Sequence, residues 1–480
     1  MNNNNNTSDI MTKPLNLDPM RLFPAETNAR DLCARLYESV KDLPIISPHG
    51  HTDPSWFAEN KPFENATALL LKPDHYVLRM LYSQGITMQQ LGFGADDDTK
   101  ETDPRKIWKL FAKHYYLYRG TPSRLWMDYV FSNVFGLTKR LDETTADEYF
   151  DHINEKLSSD EFRPRALYER FNIEVISTTE SPLDNLPHHQ KILDSDWKGR
   201  IISAFRPDNV IDPEFEGFLD NIKYLSTLTD EPCDTFDSYL NALWKRREYF
   251  ISTGVTASDH SHPTAATADL SESQCEQLFN TVMSGKATAE DAELFRAQML
   301  TEMAKMSVKD GLVMQIHCGV FRNHNPELFA KFGRDKGADI PLQIEFVNAL
   351  KPLLDKLGNN PDLTIVLFTL DETVYSRELA PLAGHYPALK LGPSWWFHDS
   401  PEGMRRFRQE VTETAGFYNT VGFNDDTRAF LSIPARHDLA RRMDCNFLSQ
   451  LVTEHRLDED EAFELAYDLS YGLAKRAYKL

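Results

Sequence analysis

The chain has 480 residues, 41% of them hydrophobic and 26% charged, with a formal net charge of −21. That composition is ordinary for a globular protein with a large core. The acidic balance argues against nucleic acid and anionic membrane surfaces as partners, because both are held by basic patches, but it leaves room for a small anionic substrate gripped by a few local arginines.

The chain opens on Met1 and the run Asn2 to Asn6, a low-complexity tail expected to be disordered. Residues 1–20 as a whole read as disordered or irregular. No basic stretch leads into an apolar one, so no secretory signal is expected, and no apolar run is long enough to span a bilayer. The scattered cysteines Cys33, Cys233, Cys275, Cys318 and Cys445 form no CxxC pair. They point to a reducing, cytoplasmic setting rather than a disulfide framework.

Thr27 to Lys41 spaces Ala29, Leu32, Leu36 and Val40 as an amphipathic helix. A strand over Leu43 to Ser47 follows and runs into Pro48-His49-Gly50-His51-Thr52-Asp53-Pro54. Residues i and i+2 of a strand point the same way, so His49 and His51 share a face and can offer two imidazole nitrogens to one metal ion. From Trp56 to about Leu157 the pattern is helical, over Asn65–Leu71, Tyr76–Ser83, Pro104–Tyr118, Leu125–Phe135 and Ala146–Leu157. Residues 56–164 are too long and too helical for a loop and read as an inserted subdomain.

Strand-like runs then recur: Ile173–Ile176, Arg200–Phe205, Ile251–Ala257, Leu312–Ile316, Leu363–Phe368, Ala388–Leu391 and Tyr418–Phe423. Helical stretches lie between them, among them Pro213–Leu225, Phe236–Tyr249, Cys275–Met306, Ile340–Leu357, Ser376–Ala383 and Pro401–Gly416, and a last helix covers Asp458–Tyr478. With the first strand, alternating strands and helices of this number predict an α/β fold, a (β/α)8 TIM-like barrel over residues 21–55 and 165–445, with the insertion after strand one and an additional C-terminal helical segment over 446–480. A doubly wound sheet would call for a glycine-rich loop after strand one, and Pro48-His49-Gly50-His51 is no GxGxxG.

The polar residues that follow the strands are the candidates for chemistry, as they are at the carboxyl ends of barrel strands. Closure of the barrel sets strand eight beside strand one, so Asp426 can join His49 and His51. Asp425 is its competitor, and alternation turns it away. Two histidines and a carboxylate leave coordination positions open, as catalytic zinc sites do, and the expected cofactor is one divalent metal ion, with zinc first. Arg206, Arg322 and Arg428 are placed to bind a carboxylate. His317 is either a third imidazole ligand or a hydrogen-bond donor to substrate. Trp395 and Trp396 either stack on a sugar face or pack. His75 and Tyr76 lie in the insertion.

On these residues the chain resembles the amidohydrolase superfamily and, within it, the uronate isomerases (glucuronate isomerases). The likeness rests on His49-Gly50-His51, Asp74-His75-Tyr76, Arg119-Gly120-Thr121-Pro122-Ser123, Ser177-Thr178-Thr179, Phe205-Arg206-Pro207-Asp208, Met314-Gln315-Ile316-His317, Arg322-Asn323, Ser394-Trp395-Trp396-Phe397 and Asp426-Thr427-Arg428-Ala429-Phe430-Leu431-Ser432. It departs at Glu180-Ser181-Pro182, where the family usually shows Asp-Asp-Pro, and at Asn323-His324-Asn325, where many relatives have three asparagines. The resemblance implies an aldose–ketose isomerase of hexuronate catabolism, interconverting D-glucuronate with D-fructuronate and D-galacturonate with D-tagaturonate. It implies His49, His51 and Asp426 as metal ligands, and Arg206, Arg428, Tyr76 and the Trp395-Trp396 pair as substrate-site residues.

Such a reaction moves a proton from C2 to C1 through a cis-enediol. Asp426 is then a candidate for acid–base steps, Tyr76 or a metal-bound water for the C2–C1 transfer, and His317 for polarising an oxygen. Two alternatives stand beside it: a metal-dependent hydrolase of the amidohydrolase type, against which the absence of a histidine after strand six weighs, and a catalytically dead sugar-acid-binding protein. The expected partner is a small hexuronate; the oligomeric state is open, a homo-oligomer being one outcome.

Overall fold

The computed structural model describes residues 13–94 and 99–480; the Asn2 to Asn6 run lies outside the described residues. The chain divides into two units. One takes 62–163 and 326–338 with the chain before Leu22, and the other takes Leu22–Lys61, Pro164–Asn325 and Asp339–Leu480.

The second unit is built on a parallel sheet. Its strands are β1 (Ile45–Ser47), β2 (Ile173–Glu180), β3 (Arg200–Phe205), β4 (Ala257–His260) and β5 (Val313–His317), followed, after the short antiparallel pair β6 (Val320–Phe321) and β7 (Ile340–Pro341), by β8 (Ile365–Phe368) and β9 (Leu389–Leu391). The sheet order is β1-β2-β3-β4-β5-β8-β9, each strand pairing with the next as right-handed β-helix-β units require. An eighth stave completes the ring without a regular ladder. Thr420 bridges Leu391 in parallel, Val421 N–H donates to the Leu391 carbonyl at 3.1 Å, and His51 N–H donates to the Thr427 carbonyl at 3.0 Å. Gly422 breaks the ladder there: it sits at φ +76°, and a Cβ would come within 3.0 Å of the Leu469 carbonyl. The result is a TIM-like barrel in which Asp426 follows the last stave beside the end of β1.

Inward residues Ile46, Val175 and Ile202 pack with Ala474. Ala257, Val313, Val366 and Val421 pack with Tyr478 and Trp395. The C-terminal segment therefore fills one end of the barrel interior, and the Tyr478 hydroxyl donates to Gln315 at 2.9 Å while accepting from Asn424 at 2.6 Å. The outer helices bury a long apolar cluster that includes Phe205, Phe250, Leu300, Met303 and Leu367. The N-terminal helix Thr27–Val40 packs on helices Ile433–Thr453 and Glu459–Tyr467 through Leu32, Leu36, Leu448 and Leu465.

Among the elements that differ from the sequence expectation are the fourth strand and the helix before β8. Ile251 and Ser252 finish the helix Phe236–Ser252, and β4 begins only at Ala257. Its three following residues are polar yet buried, so no apolar run marks it. The expected helix Ile340–Leu357 is reduced to Lys351–Leu357, with the start of the segment used in β7.

The first unit is helical. Helices His75–Tyr82, Pro104–Lys113 and Pro122–Tyr129 are capped by Asp74, Asp103 and Thr121, whose side chains accept from backbone N–H groups of the first turn; proline at the start of two of them suits a position whose N–H has no helical partner. Trp108, Phe111, Tyr115, Phe131 and Tyr149 form its aromatic centre. Pro14 bridges Lys139 in this unit. Among the described residues, no helix is long and apolar enough to cross a membrane.

Candidate active site

The turn after β1 carries His49 and His51 and is fixed at both sides. The Thr179 hydroxyl donates to the Gly50 carbonyl at 3.0 Å, and His51 N–H reaches Thr427. This brings both Nε2 atoms to one oxygen of Asp426, at 3.5 Å from His49 and 3.3 Å from His51. The ligand atoms of the three residues all lie within 4.8 Å of one another. His49, Asp259 and His317 form a second such group that shares His49.

The charge states suit a metal. Burial drives the His49 imidazole down to about 4 against the pull of Asp426, so it is neutral and keeps a lone pair near pH 7. Burial opposes ionisation of Asp426, but its imidazole neighbours His49 and His51, the latter by a hydrogen bond, outweigh it and hold the carboxyl well below the usual range. The donor set is thus two imidazole nitrogens and a carboxylate, the set a divalent ion such as zinc takes in sites that keep positions open for substrate. These residues fit the expected ion.

Asp426 is held in an uncommon conformation. Its φ is +38°, a region that costs a non-glycine residue free energy unless its surroundings enforce it. The Trp395 indole N–H donates to its other oxygen at 2.6 Å. Next to it, Asp425 turns away and pairs with His437 Nε2 at 3.0 Å, and Arg436, which also pairs with Asp399 at 2.6 Å, donates to the Asp425 carbonyl at 3.4 Å. Trp395 is 5% exposed and packs edge-on to His317. It braces Asp426 and the imidazoles rather than lying open as a stacking platform.

A second chain of contacts runs from β5 to β3. The His317 ring stacks on His49 with centroids 4.6 Å apart. Its Nδ1 meets an Asp259 oxygen at 2.7 Å, and since a carboxylate only accepts, Nδ1 carries the hydrogen. In the neutral ring Nε2 then bears the lone pair, and it is buried with no protein partner. The other Asp259 oxygen lies 3.3 Å from an Arg206 Nη, and Arg206 Nε donates to Asp208 at 2.8 Å. Burial opposes ionisation of Asp259, but Arg206 and His317 outweigh it and hold it well below the usual range.

The structure therefore brings His49, His51, Asp426, His317, Arg206 and Trp395 into one constellation. Arg322 is tied to Asp339 at 2.9 Å and to the Ser261 hydroxyl at 2.8 Å, with its guanidinium 5.4 Å above the Trp396 ring. Arg428 follows Asp426 by two residues and is half-buried. Tyr76 belongs to the helical unit, where it stacks on His75 and meets Trp126 edge-on. Asp259 and Asp208 were not among the sequence candidates. The signal lay in Ser258-Asp259-His260-Ser261-His262, a second His-x-His with a carboxylate before it.

The family model described as glucuronate isomerase matches residues 26–478. A uronate isomerase of Sphingopyxis alaskensis is 64% identical over 474 residues, which cover 98% of this chain and 100% of that protein. The crystal structure of glucuronate isomerase from Caulobacter crescentus superposes with a TM-score of 0.96 at 61% identity, covering 97% of this chain and 98% of that one. A uronate isomerase structure from Thermotoga maritima gives 0.90 at 28% identity over 96% and 99% of the two chains.

Proposed function

The chain belongs to the glucuronate isomerase family, and from that premise we propose that it interconverts D-glucuronate with D-fructuronate, and D-galacturonate with D-tagaturonate, by moving a proton between C2 and C1. The observation that carries this reading is the meeting of His49 and His51 Nε2 on one Asp426 oxygen, next to the Arg206–Asp259–His317 chain.

His49, His51 and Asp426 would hold one divalent ion, zinc by the chemistry of the donors. Such an ion acts as a Lewis acid toward the oxygens of the open-chain sugar. The remaining work falls to side chains. Asp426, ionised and braced by Trp395, accepts the hydroxyl proton released as the sugar ring opens. Arg206, with Arg428, neutralises anionic oxygens of the substrate; its guanidinium is preorganised by Asp208 and Asp259, so little side-chain entropy is lost on binding. The lone pair at His317 Nε2 accepts a hydrogen bond or proton from a substrate hydroxyl, with Asp259 stabilising the resulting imidazolium as a carboxylate orients a catalytic histidine elsewhere. This orientation favours an accepting His317 over a donating one. The C2 proton passes to C1 through a cis-enediol, with a water molecule as its candidate carrier. Arg322 and Trp396 complete the set of proposed substrate-site residues. The five cysteines are all free and buried, which supports a cytoplasmic setting.

The test is incubation of each uronate with the purified protein and with its Arg206→Met variant, following ketose by its carbonyl signal. Ketose formation by the parent, and a KM raised at least tenfold in the variant, are expected. No ketose from either sugar with zinc supplied would overturn the reading.

A further inference from the structure

Behind Arg206 lies a third set of metal-type donors, whose two histidines the isomerisation does not use. Asp208, His260 and His262 place one ligand atom each within 4.8 Å of one another, and all three are buried. Their nitrogens are poorly served by the protein. Both ring nitrogens of His262, and Nδ1 of His260, are buried without a hydrogen-bond partner, although His262 is only 3% exposed and His260 fully buried. A buried polar atom left without a partner is costly, so two such rings side by side ask for a common one.

The surroundings are those of metal ligands. His260 Nε2 lies 3.2 Å from the Ser258 hydroxyl, which leaves Nδ1 as the unpartnered nitrogen of that ring. His262 Nε2 lies 3.9 Å from Asp208 Oδ1, close enough for one ion to sit between them. Asp208 Oδ1 also accepts from Ser261 N–H at 3.1 Å, which orients the carboxylate, while its other oxygen is engaged by Arg206.

We propose that Asp208, His260 and His262 bind a second divalent transition-metal ion, distinct from the one expected at His49, His51 and Asp426, and that it locks the Asp208 carboxylate which aims Arg206. Two nitrogens and one carboxylate oxygen select a zinc-like ion over magnesium or calcium, which prefer all-oxygen cages. The ion has no part in the chemistry; Asp208 positions Arg206 through it.

The experiment is elemental analysis of the full-length protein after zinc loading and desalting, with the variants His262→Gln and Asp426→Asn analysed alongside. About two ions per chain in the parent and about one in each variant are expected, because the two sites have separate ligands. One ion in the parent that His262→Gln leaves in place and Asp426→Asn removes would overturn the proposal. One ion lost in His262→Gln but kept in Asp426→Asn would support it and count against the His49 centre, so failure of one reading is distinguishable from failure of the other. Anomalous scattering at the zinc edge from crystals of the unaltered protein guards against a variant that fails to fold: a peak between Asp208 and His262 supports the site, and density of a light atom there overturns it.

Discussion

Trp395→Phe removes one N–H and almost nothing else. The ring stays, and with it the edge contacts to His317 and Phe368. What is lost is the 2.6 Å hydrogen bond to the carboxylate of Asp426, in a residue only 5% exposed, where water has little access to replace the donor. A hydrogen bond to a charged group contributes about 1.5–3 kcal/mol, so kcat/KM should fall about 10- to 150-fold at 1.36 kcal/mol per decade. The donor favours the ionised carboxyl, so its loss raises the Asp426 pKa. The acidic limb of the rate profile should therefore move to higher pH. Initial rates of ketose formation between pH 4 and 8 measure both effects. A variant within about twofold of the parent at pH 7, with an unmoved acidic limb, would refute the view that the indole braces Asp426.

Asp426→Asn should abolish nearly all turnover while circular dichroism shows an unchanged fold; rates close to the parent's would remove Asp426 from the mechanism. Asp310→Ala strips the partner from Arg247, which is 0% exposed and held at 2.6 Å by Asp310. Leaving that charge alone in the interior should cost about 3–5 kcal/mol, read as a fall in the urea midpoint, and a loss below 1 kcal/mol would contradict it. Glu180 is a buried carboxyl pushed up to about 7, against the Thr178 and Ser203 hydroxyls that donate to it. Because its folded value lies above the unfolded one near 4.3, its contribution is complete below that value and fades as pH rises through 7. The Tm difference between the parent and Glu180→Gln should thus shift against the parent from pH 5 to pH 8, and a flat difference would contradict the assignment.

The apolar run Ile45-Ile46 marked the strand end where His49 and His51 follow, but both lie in the turn after β1, where the contacts of Thr179 and Thr427 rather than strand alternation fix the chain. Asp426 needed one more step, the closure of an eight-stave ring, and that step survives an eighth stave that Gly422 keeps irregular. Asp259 escaped the same reasoning. A strand is found by its apolar run, and β4 buries Ser258, Asp259 and His260 instead; Asp259 is stable there through Arg206 and His317, partners that only the folded chain brings together. Trp395 shows the limit for aromatic residues: the pair Trp395-Trp396 signals a site, but whether an indole stacks on a ligand or donates to a carboxylate depends on where the ring turns. The choice between Asp425 and Asp426 followed from alternation, and His437 shows where the other carboxylate goes.

Proton NMR of D-glucuronate, and separately D-galacturonate, incubated with the zinc-supplied protein in D2O reads the proposed isomerisation itself. The matching ketose is expected from each sugar, formed as the enediol is reprotonated at C1. Sugars that stay unchanged would contradict that reading, and the extent of deuterium at C1 reports how far the transferred proton exchanges with water.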